Sequence, residues 1–256
     1  MLLHREEFTF SAFEQDRKTK DKVGLSGKLM LAENGEDKYI VKYVDPFDAS
    51  FEFMTATLAQ KLRINTPDAY LFVPTDGMPH AVGIRYLTGL KKPSVRDGII
   101  KSVILNFLIC NGDRAECAES EGIVYTLDFG ECFCFDYRLR TEQFFNLCKK
   151  ASTDEKTRDQ VDKQMKDCFD LYMHNRGYAN TNNYLATANI IATERALPCF
   201  TQQEVESEWT HVWRRLRCLS QDAFIPMRRD LAKVYGDYFA FACWKFMEGL
   251  RRCYID

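Results

Sequence analysis

Polar and apolar positions alternate along the first third of the chain, and from about residue 97 they settle into helical spacing. Lys28 to Leu31 and Lys38 to Val44 read as strands joined by a turn at Glu33-Asn34-Gly35-Glu36. Asn and Gly both tolerate the positive φ that a tight hairpin needs. Phe51 to Leu62 places apolar residues at helical spacing, and Asn65-Thr66-Pro67 closes the segment. Ala69 to Val73 and Ala81 to Leu87 read as a second strand pair with a turn near Asp76-Gly77. The order strand, strand, helix, strand, strand suits a small antiparallel sheet carrying one helix.

Val95 to Cys110 follows as a helix with Ile99, Ile100, Val103, Ile104 and Phe107 on its buried face. A polar loop, Asn111 to Glu121, leads into a strand at Ile123 to Leu127. Beyond Thr141 the pattern predicts about five helices, with Glu204 to Leu219 and Asp237 to Arg251 the most regular. The expected class is α+β in two parts, a β-rich lobe over residues 1–90 and a helical lobe over 91–256, sharing a cleft.

Composition agrees with a folded chain of this size. Of 256 residues, 46% are hydrophobic and 13% aromatic, enough for a sizeable core. The 35 basic and 37 acidic residues nearly cancel, which argues against general nucleic-acid binding, since that calls for a basic surplus. Ten cysteines are scattered without a C-x-x-C pair, so they read as reduced core thiols. The amino-terminal MLLHREEFTF lacks a secretory apolar core, and the apolar run Val103 to Cys110 is too short to cross a bilayer. A soluble protein of a reducing cytoplasm is expected. His4, His80, His174 and His211 show no metal spacing. Arg214, Arg215, Arg217, Arg228 and Arg229 read as a solvated helix face, and Trp209, Trp213 and Leu216 as core.

Three features carry candidate chemistry. Lys42 shares a strand face with Ile40 and Val44, a costly place for an ammonium unless it meets an anion. Glu52, near the start of the next helix, is the carboxylate placed to position it. Gly24-Leu25-Ser26-Gly27-Lys28, ahead of the first strand, offers free backbone N–H groups for phosphate oxygens. Asp113, in Asn111-Gly112-Asp113-Arg114, and Asp128, in Asp128-Phe129-Gly130, flank one short strand. A carboxylate at a strand end beside glycine can hold a divalent metal, and one in a loop can orient a hydroxyl.

These segments in this order, G-L-S-G-K, Y-I-V-K-Y, F-E-F-M-T-A-T-L-A-Q-K-L, V-G-I-R-Y-L, N-G-D-R and Y-T-L-D-F-G, resemble the HipA-like branch of the protein-kinase superfamily. They are also similar to the phosphoinositide-kinase-like atypical kinases. The resemblance spans roughly residues 20–135. It implies a two-lobed kinase fold, ATP and magnesium as cofactors, and a protein Ser/Thr hydroxyl as acceptor. It further implies phosphate contacts from Gly24, Ser26, Gly27, Lys28 and Lys42, with Glu52 paired to Lys42. Adenine would meet the backbone of Arg85, Tyr86 and Leu87. Asp113 would be the catalytic carboxylate and Asp128 the metal ligand. The family pattern also has His and then Asn after the Asp-Arg pair, whereas here Ala115-Glu116-Cys117-Ala118-Glu119 follows. Glu116 and Glu119 are the oxygen donors within reach of that role. Beside an active kinase stand two alternatives: a pseudokinase that holds nucleotide or a partner without turnover, and an interaction domain with no nucleotide site.

Overall fold

The structure is a computed structural model, and it describes residues 2–13, 29–75, 80–111, 116–127, 129, 132–134, 142–175 and 179–254. Gly24, Ser26, Gly27, Lys28, the turn at Asp76-Gly77, Asp113, Asp128 and Gly130 lie outside the described residues.

Among the described residues, six strands form one sheet in the order β1-β5-β6-β4-β3-β2: β1 (Leu2–Leu3), β2 (Thr9–Ala12), β3 (Leu29–Asn34), β4 (Asp37–Tyr43), β5 (Ala69–Phe72) and β6 (Ala81–Arg85). The four expected strands are present, and the Asn34-Gly35 hairpin pairs Leu29 with Lys42 and Asn34 with Asp37. Two strands come in addition. β2 extends the sheet beyond β3, and β1 runs parallel to β5, so the sheet is not wholly antiparallel. β1, at two residues, is too short to carry a period-2 signal, whereas β2 lies in the alternating run Phe8-Thr9-Phe10-Ser11-Ala12, a strand signal that the longer runs overshadow.

The register sorts the sheet into two faces. One carries Tyr39, Val41, Ala32, Phe72 and Ala81, which close a small core with Leu3, Phe8 and Phe10. The other carries Leu71 and Val82, which join the main core under α1 (Pro46–Leu62). That helix starts five residues before its expected beginning. Asp45 caps it by accepting from the N–H groups of Phe47 and Asp48, and Pro46 occupies the first turn, where its missing N–H costs nothing. Arg63, left-handed at φ 57°, ends it.

Residues 86–98 connect the sheet to α2 (Ile99–Leu108), and the expected division at residue 90 falls in this connector. α2 begins four residues later than the spacing predicts. Gly98 precedes it at φ 92°, and a Cβ there would stand 3.1 Å from that of Val124, so the turn into the helix needs glycine. Asn111 to Glu121 is not a single loop, because β7 (Glu116–Ser120) pairs antiparallel with β8 (Ile123–Leu127). Glu121 and Gly122, at φ 51° and 79°, form the two-residue turn between them.

Among the described residues six further helices follow: α3 (Glu142–Ala151), α4 (Glu155–Asn175), α5 (Thr181–Glu194), α6 (Gln202–Cys218), α7 (Ile225–Tyr235) and α8 (Asp237–Arg252). α6 carries a complete capping box between Thr201 and Glu204. One continuous core joins α1 and the sheet residues Ala69, Leu71 and Val82 to α2, β8 and α3 to α8, with Leu216 buried and Trp209 and Trp213 packed against it. Cys110, Cys117, Cys132, Cys148, Cys168, Cys199, Cys218, Cys243 and Cys253 are present as thiols. Among the described residues, no helix is long and apolar enough to cross a membrane.

Candidate functional site

Lys42 sits on β4 opposite Leu29 of β3 and Val82 of β6. Its Nζ meets Oε1 of Glu52, from the second turn of α1, at 2.5 Å. The two side chains are 15% and 4% exposed. An ammonium and a carboxylate withdrawn from water to this degree are tolerable only as a pair. The sequence expectation that Glu52 positions Lys42 therefore has its geometry.

By register, Leu29, Leu31, Ile40 and Ile84 share the face of Lys42. All four are half-buried, whereas Val82 and Leu71 on the same face lie fully beneath α1. An apolar, partly open surface thus adjoins the ammonium. That combination fits a ligand with a flat apolar part and an anionic part.

Helix α1 is also tied to the segment that follows residue 128. Thr55 Oγ1 lies 3.3 Å from Cys132 Sγ, and that thiol donates to the Phe129 carbonyl at 2.8 Å. Phe51 of α1 packs edge-on against Phe133 at 5.8 Å, and Phe133 packs on Phe246 of α8 at 5.3 Å. Phe129, Cys132 and Phe133 are all buried. The helix that supplies Glu52 is thereby braced on the segment next to Asp128, although Asp113 and Asp128 themselves lie outside the described residues.

At the expected adenine edge, Arg85 donates its backbone N–H to Asp68 O and Tyr86 donates its own to Lys38 O, both at 2.8 Å. The Arg85 guanidinium is exposed and faces Asp37 at 3.4 Å. These amides serve the sheet, and Leu87 follows them half-buried at the start of the connector.

Glu119 has a different task from the metal-binding one considered for it. Its carboxylate is 3% exposed and accepts the Ser94 N–H and Ser94 Oγ, each at 2.6 Å, while Lys91 Nζ stands 3.0 Å away. Those hydrogen bonds, the Ser94 hydroxyl foremost, pull its carboxyl down to about 2. The backbones of Lys91 and Glu119 also bond in both directions, and Ser120 Oγ donates to Thr88 O. Sequence alone gave no sign that this carboxylate fastens the connector to β7.

Among the described residues, the remaining titratable groups form no competing centre. Burial pushes the Cys148 thiol up to about 12 and that of Cys117 up to about 11, far from a reactive thiolate. Among the described residues, no group of three or more His, Cys, Asp or Glu side chains is placed to hold a metal ion. A pocket of about 480 Å³ between the starts of α2 and α6 shares no residue with the Lys42 site. Within it Arg96 pairs with Glu204 at 3.0 Å and lies over the Phe200 ring at 4.3 Å, and Lys101 faces Glu208 at 3.7 Å.

No sequence-family model matches the chain, and no curated protein matches it. Among solved structures, the crystal structure of CtkA, a proinflammatory kinase of Helicobacter pylori, aligns with 85% of this chain and 96% of that one. Identity over the alignment is 13% and the TM-score is 0.36. At that level the likeness stands beside the site geometry without adding to it.

Proposed function

We propose that this chain is a kinase-like phosphotransferase that binds ATP with magnesium and passes the γ-phosphoryl group to a serine or threonine hydroxyl of a protein, in the manner of HipA-like kinases. The observation that carries the reading is the buried Lys42–Glu52 pair at 2.5 Å beside a partly open apolar face. The carboxylate fixes the ammonium, a positive charge of the kind that suits phosphate oxygens. Leu29, Leu31, Ile40 and Ile84 supply the apolar surface for a purine, and the Leu87 backbone is the proposed adenine contact.

In this reading Asp113 orients the acceptor hydroxyl and takes its proton as the oxygen bonds to the γ-phosphorus. The bond to the β-bridging oxygen breaks, and ADP departs. Lys42 neutralises phosphate charge, helped by the backbone of Gly24, Ser26, Gly27 and Lys28. Asp128 is the proposed magnesium ligand, and the metal when bound would neutralise further charge on the phosphates. The direct test is transfer of labelled γ-phosphate to protein by wild type and by Asp113→Ala. Labelled phosphoserine or phosphothreonine from wild type alone supports the reading, and equal labelling by both proteins refutes the role of Asp113.

A second reading, nucleotide binding without turnover, draws on a specific observation. His and Asn are missing after Arg114, and Glu119, one of the two carboxylates considered in their place, is bound to Ser94 and Lys91. Magnesium-dependent ATP binding with no labelled product would select it.

A further inference from the structure

A line of polar side chains, buried at Thr126, Ser102 and Asn106 and half-buried at Asn111, runs between the two segments that lead to Asp113 and Asp128. At one end Thr126 of β8, two residues before Asp128, is 1% exposed. Its Oγ1 lies 2.5 Å from Oγ of Ser102 on α2, and its N–H donates to Asn65 O at 2.9 Å. One turn along α2, Asn106 Nδ2 donates to the Ser102 carbonyl at 2.9 Å. Asn106 Oδ1 in turn accepts from Asn111 Nδ2 at 2.8 Å, and the Asn111 backbone N–H donates to Asn106 O at 2.9 Å. Asn111 stands two residues before Asp113.

Ser102 and Asn106 occupy positions on α2 where Val103, Ile104 and Leu105 around them are fully buried. Polar groups there gain little net stability over apolar ones of equal size, and they cost free energy whenever one partner is lost. A satisfied buried network fixes geometry in a way that an apolar contact, free to slide, does not. The α2 helix also ends just here, with Cys110 left-handed at φ 47°, so Asn106 holds the chain as it leaves the helix.

We propose that Thr126, Ser102, Asn106 and Asn111 form a positioning network that couples the segment ahead of Asp113 to the segment ahead of Asp128. These residues act through the two aspartates and touch no substrate. The catalytic part of the inference rests on the kinase reading above, whereas the coupling itself does not.

Two variants test it. Thr126→Val keeps the side-chain shape and removes the hydroxyl, and Asn106→Leu removes both amide bonds. Thr126→Val leaves the buried Ser102 hydroxyl without this partner, so its melting temperature should fall by a few degrees with the fold retained, and exchange at buried amides outside the network gauges that global loss. Beyond that loss, hydrogen exchange at the Asn111 amide should quicken about tenfold in Thr126→Val, and at the Thr126 amide in Asn106→Leu. The kcat for γ-phosphate transfer should fall about tenfold with KM for ATP unchanged, and Thr126→Ser should restore both readouts. Exchange at Asn111 that ignores Thr126→Val would overturn the coupling, whatever the transfer assay gives. A wild type that exchanges as expected yet transfers no phosphate would instead overturn the kinase reading and leave the coupling standing.

Discussion

Lys42 of β4 and Glu52 of α1 are joined across the sheet-to-helix interface by one short ion pair whose carboxylate is 4% exposed. This contact makes α1 part of the site and not merely its support. The same helix is braced on Cys132 and Phe133 by Thr55 and Phe51, so a shift of either side is felt by the other.

Removing one partner of the pair is expected to cost more than removing both. Lys42→Met leaves the Glu52 carboxylate buried beside an apolar group, a loss of about 3–5 kcal/mol by the behaviour of broken buried pairs. Lys42→Met with Glu52→Leu should recover most of that loss in chemical denaturation. A double variant no more stable than Lys42→Met would mean that Glu52 is solvated and the pair contributes little.

Glu119 gives the fold an acid-sensitive fastening. Its folded pKa, about 2, lies below the ordinary 4.5, so the carboxylate contributes stability that is fully present above pH 4.5. That contribution drains as pH falls toward 2. Glu119→Gln should therefore melt lower than wild type at neutral pH, and the gap should narrow between pH 4.5 and 2. Melting curves across that range check it, and a gap that stays constant with pH would contradict it.

His80 titrates in a higher window with the same sense. Burial lowers its pKa from 6.5, Lys149 of α3 lowers it further, and Asp45 at the start of α1 opposes them. The ring packs edge-on to Phe145 of α3 and tilted on Tyr235 of α7, at 5.6 and 5.2 Å, and its buried Nδ1 has no hydrogen-bond partner among the described residues. Neutral His80 stabilises the fold above pH 6.5, and the contribution is lost as pH falls through and below that value. Wild type should lose melting temperature between pH 7 and 5 faster than His80→Phe. Parallel pH profiles would show that the ring titrates freely.

Much of the sheet and the Lys42–Glu52 pair was legible in the sequence because both follow from short-range rules. Alternation placed Lys42 on the face of Ile40, and helical spacing put Glu52 on the next element. What escaped depended on partners distant in sequence. β7 is polar because Glu119 and Ser120 turn inward to bind Ser94 and Thr88, a role with no periodic signature. β1 pairs with β5 across nearly seventy residues through only two positions. The early start of α1 was visible in Asp45-Pro46, a cap and first-turn proline that the apolar pattern alone does not weigh.

The central claim is that Lys42 receives the phosphates of a nucleotide, and thermal unfolding with ATP and magnesium tests it most directly. ATP at a hundredfold excess over its dissociation constant should stabilise wild type by about 2.7 kcal/mol, a shift of several degrees. The shift should require magnesium and vanish in Lys42→Met and in Asp128→Ala. An unchanged melting temperature for wild type, or an equal shift in Lys42→Met, would contradict a nucleotide site at this lysine.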